Sequence, residues 1–291
     1  MAECFKPLGI SVVSIFIAVV LVGSFASQFS TSLDSSNKIK VVVTILPQVE
    51  FAEKVGGERV QVMVMIPPGA SPHTYEPTPR QLVQISKAEI YFQVGSGVDF
   101  ELSFMNKIIK VNSNMMVVNC SRGIKIIDKD PHVWLSPMNV KIMVKNIYNA
   151  LVKIDPENED YYRKNMESYL KELDDLDEEI KEILGNITNR HFMVYHPAWG
   201  YFAREYNLTQ IPVEKEGKAP TARGLMALID QARRLNMKVI FVSPQFDQKK
   251  AGVIAESIHG RIVPIDPLAK DYVKNLRSVA LKLAWSMNDN E

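Results

Sequence analysis

From Asp155 to Gly185 the chain runs without a glycine or proline between its opening Pro156 and its closing glycine. Tyr162, Met166, Tyr169, Leu173, Leu176, Ile180 and Ile183 recur along it at alternating spacings of four and three. That rhythm lays them on one stripe of a single helix of about 30 residues, roughly 45 Å long. A helix longer than a small domain is wide must either project as a coiled-coil arm or serve as a stiff spine between two packed units. About four heptads between globular flanks favour the spine, and the chain is expected to be a monomer.

The flanks have the alternation of short apolar runs and amphipathic helices that makes α/β layers. Lys40–Leu46 is β-branched and almost wholly apolar, like a strand buried on both faces, and Pro47 opens a helix ending at Gly56 and Gly57. A strand over Val60–Ile66, a helix over Pro79–Ala88, and strands over Ile90–Val94, Met116–Val118 and Ile124–Ile127 complete the first half, and Ser136-Pro137 caps the next helix. After the spine come a strand at Phe192–Tyr195, a helix near Pro197–Tyr206 and a helix at Thr221–Leu235. A strand at Val239–Ser243, a helix at Lys249–His259, a strand at Arg261–Ile265 and a closing helix at Tyr272–Met287 follow. The expected fold is α/β, with two three-layer lobes of mainly parallel sheet joined by one long spine helix. The expected boundaries are 39–154 for the first lobe, 155–186 for the spine and 187–291 for the second lobe.

Residues 1–38 stand outside that plan. Lys6 precedes an uncharged apolar run from Leu8 to Ala26, and a polar stretch follows. This reads as a secretory signal cleaved near Ala26, or as a retained anchor, since 19 residues nearly cross a hydrocarbon core. Cys4 precedes the run and no cysteine follows it closely, so a lipid anchor is not expected. The folded part is expected to work outside the cytoplasm, membrane-associated only through this segment.

The rest of the composition excludes more than it assigns. With 34 Lys plus Arg against 33 Asp plus Glu, the net charge is +1, which gives no basic footprint for nucleic acid. Two cysteines are too few for a disulfide scaffold or a cysteine-rich metal module.

The chemistry lies in the histidines, of which there are five. His73 sits in PPGASPHTYEP after the second strand, His132 in DPHVWLSP before a helix cap, and His196 directly after FMVY; Asp266 directly follows RIVPI. In open α/β sheets the ligand crevice lies beyond the carboxyl ends of the strands, so these four are expected to converge there, two from each half. Taken singly, each reads as an ordinary surface or capping residue. Together, three imidazoles and a carboxylate suit a borderline divalent cation such as zinc. His191 and His259 read as surface and helix-end residues. Asp130 and Glu76 are candidates to orient the ligating imidazoles, and Tyr272 is a candidate either for a hydrogen bond near the site or for packing.

At these residues the sequence resembles the extracytoplasmic metal-binding receptors of zinc and manganese ABC importers, whose two lobes are joined by a long helix. The resemblance covers nearly everything after residue 38. It is carried by GGERVQVMVMIPPGASPHTYEPTPRQL, AEIYFQVGSGVDFE, DPHVWLSP, VYHPAWGYFAREYNL, FVSPQF and IDPLAKDY. It implies His73, His132 and His196 as the histidine ligands, Asp266 as the closing carboxylate, and an ABC permease with its ATPase as partner. Many zinc members carry a His- and acid-rich loop after the first ligand motif, which is missing here. Manganese members usually have Glu where this chain has His196, so zinc is favoured, with manganese or iron as the runner-up.

Two rival classes remain. A metallohydrolase would need an open coordination position and a general base, yet Asp266 would fill the first and no H-E-x-x-H supplies the second. No G-x-S-x-G elbow is present either, so an enzyme is not expected. An adhesin-like surface protein would keep the metal for structure.

Overall fold

The computed structural model describes residues 38–288 apart from positions 216 and 247; the signal or anchor expected over residues 8–26 lies outside them. Among the described residues no helix is long and apolar enough to cross a membrane.

Among the described residues, eight strands form two four-stranded sheets of one topology. In the first, β1 (Ile39–Val43), β2 (Val60–Val64), β3 (Ile90–Gln93) and β4 (Met116–Asn119) lie in the order β2-β1-β3-β4. In the second, β5 (His191–Val194), β6 (Thr209–Pro212), β7 (Val239–Val242) and β8 (Arg261–Pro264) repeat it as β6-β5-β7-β8. All pairings are parallel, with Val41 opposite both Val62 and Ile90, and Met193 opposite Ile240. The strand order reverses between β1 and β3 and again between β5 and β7, and such reversals open ligand crevices at the strands' carboxyl ends.

Nine helices connect and cover the strands among the described residues. They are α1 (Pro47–Gly56), α2 (Pro79–Ile85), α3 (Asp99–Val111), α4 (Pro137–Ile154), α5 (Glu159–Gly185), α6 (Gly200–Glu205), α7 (Ala222–Arg234), α8 (Gln248–Ser257) and α9 (Tyr272–Asn288). The spine is α5, 27 residues preceded by a 3-10 turn at Pro156–Asn158. The Asp155 carboxylate fixes that entrance by accepting from Tyr162 Oη at 2.6 Å and from Asn158 Nδ2 at 2.7 Å. Tyr162, Tyr169, Leu173, Leu176 and Ile180 are buried as their spacing implies, and α5 lies against α1, α4 and α9. It is therefore built into the interior along its length. One apolar core runs from the first sheet across α5 and α9 to Phe192, Val194 and Phe241 of the second sheet. The alternate residues Met193, Ile240 and Val242 face a separate, smaller cluster completed by α8 and Ala232 of α7.

Three elements differ from the sequence reading. Ile124–Ile127 is not a strand: the first sheet ends at β4, and Ile124 and Ile127 cover the core from a loop that turns through Asp128 and Lys129 at φ 52° and 61°. Helix α3 stands where no helix was read, because Leu102 and Ile109 on its exposed side blur the apolar stripe. Strand β6 is short, lies at a sheet edge and ends in Pro212, so neither its length nor its composition signals a strand.

Candidate metal centre

Each histidine arrives on a loop that its own sequence holds in place. The segment after β2 turns at Gly69 (φ 79°) and returns to α2 through a capping box, in which Gln81 N donates to Thr78 Oγ1 and Thr78 N to Gln81 Oε1. Gln81 Nε2 also donates to the Met65 carbonyl at 2.6 Å, tying the two ends of the loop that presents His73. The loop after β4 is fixed by Ser96 Oγ donating to the Pro131 carbonyl at 2.5 Å, and by Asp130 Oδ1 accepting from His132 N at 2.9 Å. Gly200, at the start of α6, lets that loop approach: a Cβ there would stand 2.6 Å from Asp130 Oδ2. His196 leaves the end of β5, its ring stacked on Phe246 with centroids 4.6 Å apart.

One pattern repeats at all three rings. His73 Nδ1 lies 2.7 Å from Asp99 Oδ2, His132 Nδ1 2.7 Å from Asp130 Oδ1, and His196 Nδ1 2.5 Å from Glu214 Oε1. An ionised carboxylate can only accept, so Nδ1 is the donor in each pair, and in the neutral form of each ring Nε2 carries the lone pair. The Nε2 atoms of His132 and His196 are 3.4 Å apart, and all three histidines offer ligand atoms within 4.8 Å of one another. Nitrogens ~2.05 Å from a tetrahedral zinc would stand about 3.3 Å apart. Burial, followed by the neighbouring His132 and His73, lowers the pKa of His196 below its ordinary 6.5 against the opposing pull of Glu214. That shift favours the neutral form of this buried ring, the form that ligation requires.

The imidazoles face a cavity of about 30 Å³ walled by Val98, Trp134, Phe246 and Leu268, room for one or two water-sized bodies. The three histidines also line a groove of about 770 Å³ that opens past Asp128, Asp130 and Arg204. Trp134 Nε1 donates to the Pro267 carbonyl at 2.7 Å, so the His132 segment is bonded directly to the loop after β8.

Of the four residues expected to bind metal, the structure gathers His73, His132 and His196. Asp266 is not in that cluster: its Oδ1 accepts from Gln245 Nε2 at 2.8 Å and from Leu268 N at 2.9 Å, and it borders a depression shared with Gly69 and Lys274. Asp130 does orient His132, whereas Glu76 is exposed. Tyr272 packs edge-on against Phe51 with centroids 5.1 Å apart, which is the packing alternative. His191 meets Asn189, and His259 takes φ 53° beyond the end of α8. Asp99 and Glu214 were not foreseen.

Comparison with known proteins identifies the family. Residues 41–285 match the family described as zinc-uptake complex component A, periplasmic. The chain belongs to that family. It is thereby one of the metal-binding receptors of ABC importers. The high-affinity zinc uptake system protein ZnuA of Bacillus subtilis is 29% identical over 274 residues, spanning 87% of this chain and 85% of the relative. The manganese ABC transporter substrate-binding lipoprotein PsaA of Streptococcus pneumoniae is 28% identical over 269 residues, 84% of this chain and 85% of the relative. A crystal structure of ZnuA superposes with a TM-score of 0.84 at 41% identity, covering 86% of this chain and all 100% of the other. A zinc-bound ZnuA deletion mutant gives 0.84 at 40% identity, over 87% of this chain and 100% of the other.

Proposed function

We propose that this protein captures a single divalent cation outside the cytoplasm, zinc in the first place, and delivers it to the membrane permease of an ABC importer without turning it over. The observation that carries this reading is the set of three imidazoles, each with Nδ1 committed to a carboxylate, and two of their Nε2 atoms 3.4 Å apart. Unprotonated nitrogens so close repel unless a cation lies between them. The carboxylates of Asp99, Asp130 and Glu214 add negative potential behind the rings without occupying coordination positions. Three neutral nitrogens favour a borderline ion over manganese, which prefers oxygen. A receptor also fits better than a hydrolase, because all three carboxylates beside the rings are engaged at Nδ1 and none is placed to deprotonate a metal-bound water.

His73 and His132 come from the half built on the first sheet and His196 from the half built on the second, so the ion bridges them. The shared core and the Trp134–Pro267 bond oppose a wide hinge swing. Release is then a matter of the permease tilting the halves by a small amount, enough to lengthen one metal–nitrogen bond.

Elemental analysis of the purified protein should find close to one zinc per chain, removable by chelator and restored on re-addition. In competition, zinc should displace manganese, and His196→Glu should move the preference toward manganese. A chain that keeps no divalent ion, or one whose manganese preference is unaltered by that substitution, would contradict the assignment.

A further inference from the structure

The three histidines leave the fourth coordination position of a tetrahedral ion to be filled, and Asp266, the expected carboxylate, is turned to other partners. Gln245, on the loop that follows β7 beside the strand reversal from which His196 also emerges, is bonded to Asp266 and also lines the cavity that the imidazoles face. Gln245 lines the small cavity with all three histidines, and its neighbour Phe246 stacks on His196. The Asp266 carboxylate accepts at 2.8 Å, so the amide group facing it must be the nitrogen. The amide oxygen then points the other way. Gln245 Oε1 is buried and among the described residues accepts no hydrogen bond, a cost of roughly 1–3 kcal/mol for a carbonyl withdrawn from water.

We infer that Gln245 Oε1 is the fourth ligand to the metal, and that Asp266 is the positioning residue that orients it. This rests on the receptor reading above and deepens it. The arrangement gives all four donors one construction: His73 is held by Asp99, His132 by Asp130, His196 by Glu214, and Gln245 by Asp266, each through an N–H on the far side of the side chain from the metal. Each carboxylate fixes a donor's orientation and makes it more basic while staying out of the coordination sphere. The buried oxygen gains its partner when the cation arrives, so capture removes an unsatisfied group from the empty form. A neutral amide in place of a bound carboxylate leaves one less charge to be separated when the ion is handed over.

A double-mutant cycle on the full chain, read by zinc titration, separates this from direct ligation by Asp266. Gln245→Leu keeps the side chain's bulk and should weaken zinc at least tenfold, while the metal-free melting temperature stays close to that of the parent. Asp266→Ala alone should cost roughly 10–100-fold, as loss of an orienting carboxylate does. In the Q245L background the same Asp266→Ala change should cost less than twofold, because the residue it acts through is gone. If Asp266→Ala costs as much in the Q245L background as alone, or if Q245L binds zinc as tightly as the parent, Asp266 is itself the ligand and the inference is overturned. A parent chain that binds no zinc defeats the receptor reading and this inference with it, a result distinct from either of those.

Discussion

The two sheets share a strand order but not a setting. The first sheet, α5, α9 and the inner face of the second sheet pack into one continuous core. The outer face of the second sheet meets only a small cluster, on which α7 contributes Ala232 as its one buried residue while Leu225, Leu228 and Ile229 are half-exposed. Met226 and Val253 on that layer are 66% and 55% exposed. The same topology has therefore been used once as a fixed wall and once as a thinner plate. The loop carrying Gln245 and Phe246 and the segment carrying Glu214 belong to the plate. His132 is tied instead to the wall side, through the bond from Ser96 Oγ to the neighbouring Pro131 carbonyl. Adjustment around a captured ion is thus expected mainly in the second half, because regions with few buried apolar contacts open at the lowest free energy.

The largest test of that contrast is in stability. Leu176→Ala, in the shared core on α5, should cost about 2–5 kcal/mol in urea unfolding, whereas Leu225→Ala on α7 should cost about 1 kcal/mol or less. Equal costs would mean that the outer layer is as firmly packed as the spine.

A smaller effect should appear with pH, and its sign follows from His196. Burial lowers the folded-state pKa of this ring below 6.5, so as pH falls the unfolded chain takes the proton first. The stability contributed by neutral His196 is complete above pH 6.5 and is lost between 6.5 and the lower folded value. Unfolding of the metal-free protein at pH 7.5 and 5.5 should show a larger loss for the parent than for His196→Gln. An identical loss in both would remove His196 from the account of the second half. The smallest effect is expected at the tie between the halves: Trp134→Phe removes the bond to the Pro267 carbonyl and should cost about 1 kcal/mol, and a much larger loss would mean that the ring's packing, not its bond, joins them.

The legible part of this molecule was the part with a period or a rare residue. The alternating spacing of Tyr162 to Ile183 marked the spine, and β-branched runs marked the buried strands. His73, His132 and His196 stood out because histidine is scarce in this chain, His196 closely follows a strand and the other two lie in the loops after β2 and β4. The carboxylates behind them were illegible for a related reason. Asp99 opens α3, and Glu214 lies two residues past β6, the helix and strand the sequence did not signal. Without those elements the two acids look like any others among the charged residues. Asp130 was legible because it shares a short motif with His132. Asp266 was placed correctly after its strand, but sequence alone could not say that Gln245 is bonded to it, since residues 245 and 266 meet only when β7 and β8 pair.

The central claim is that one ion is held by nitrogen atoms from both halves of the molecule. X-ray absorption at the zinc edge of the loaded protein tests it most directly. Three imidazole nitrogens and one oxygen at about 2.0–2.2 Å are expected, with the imidazole scattering falling to two rings in His196→Ala. A parent spectrum with fewer than three imidazoles, or one unchanged by that substitution, would contradict it.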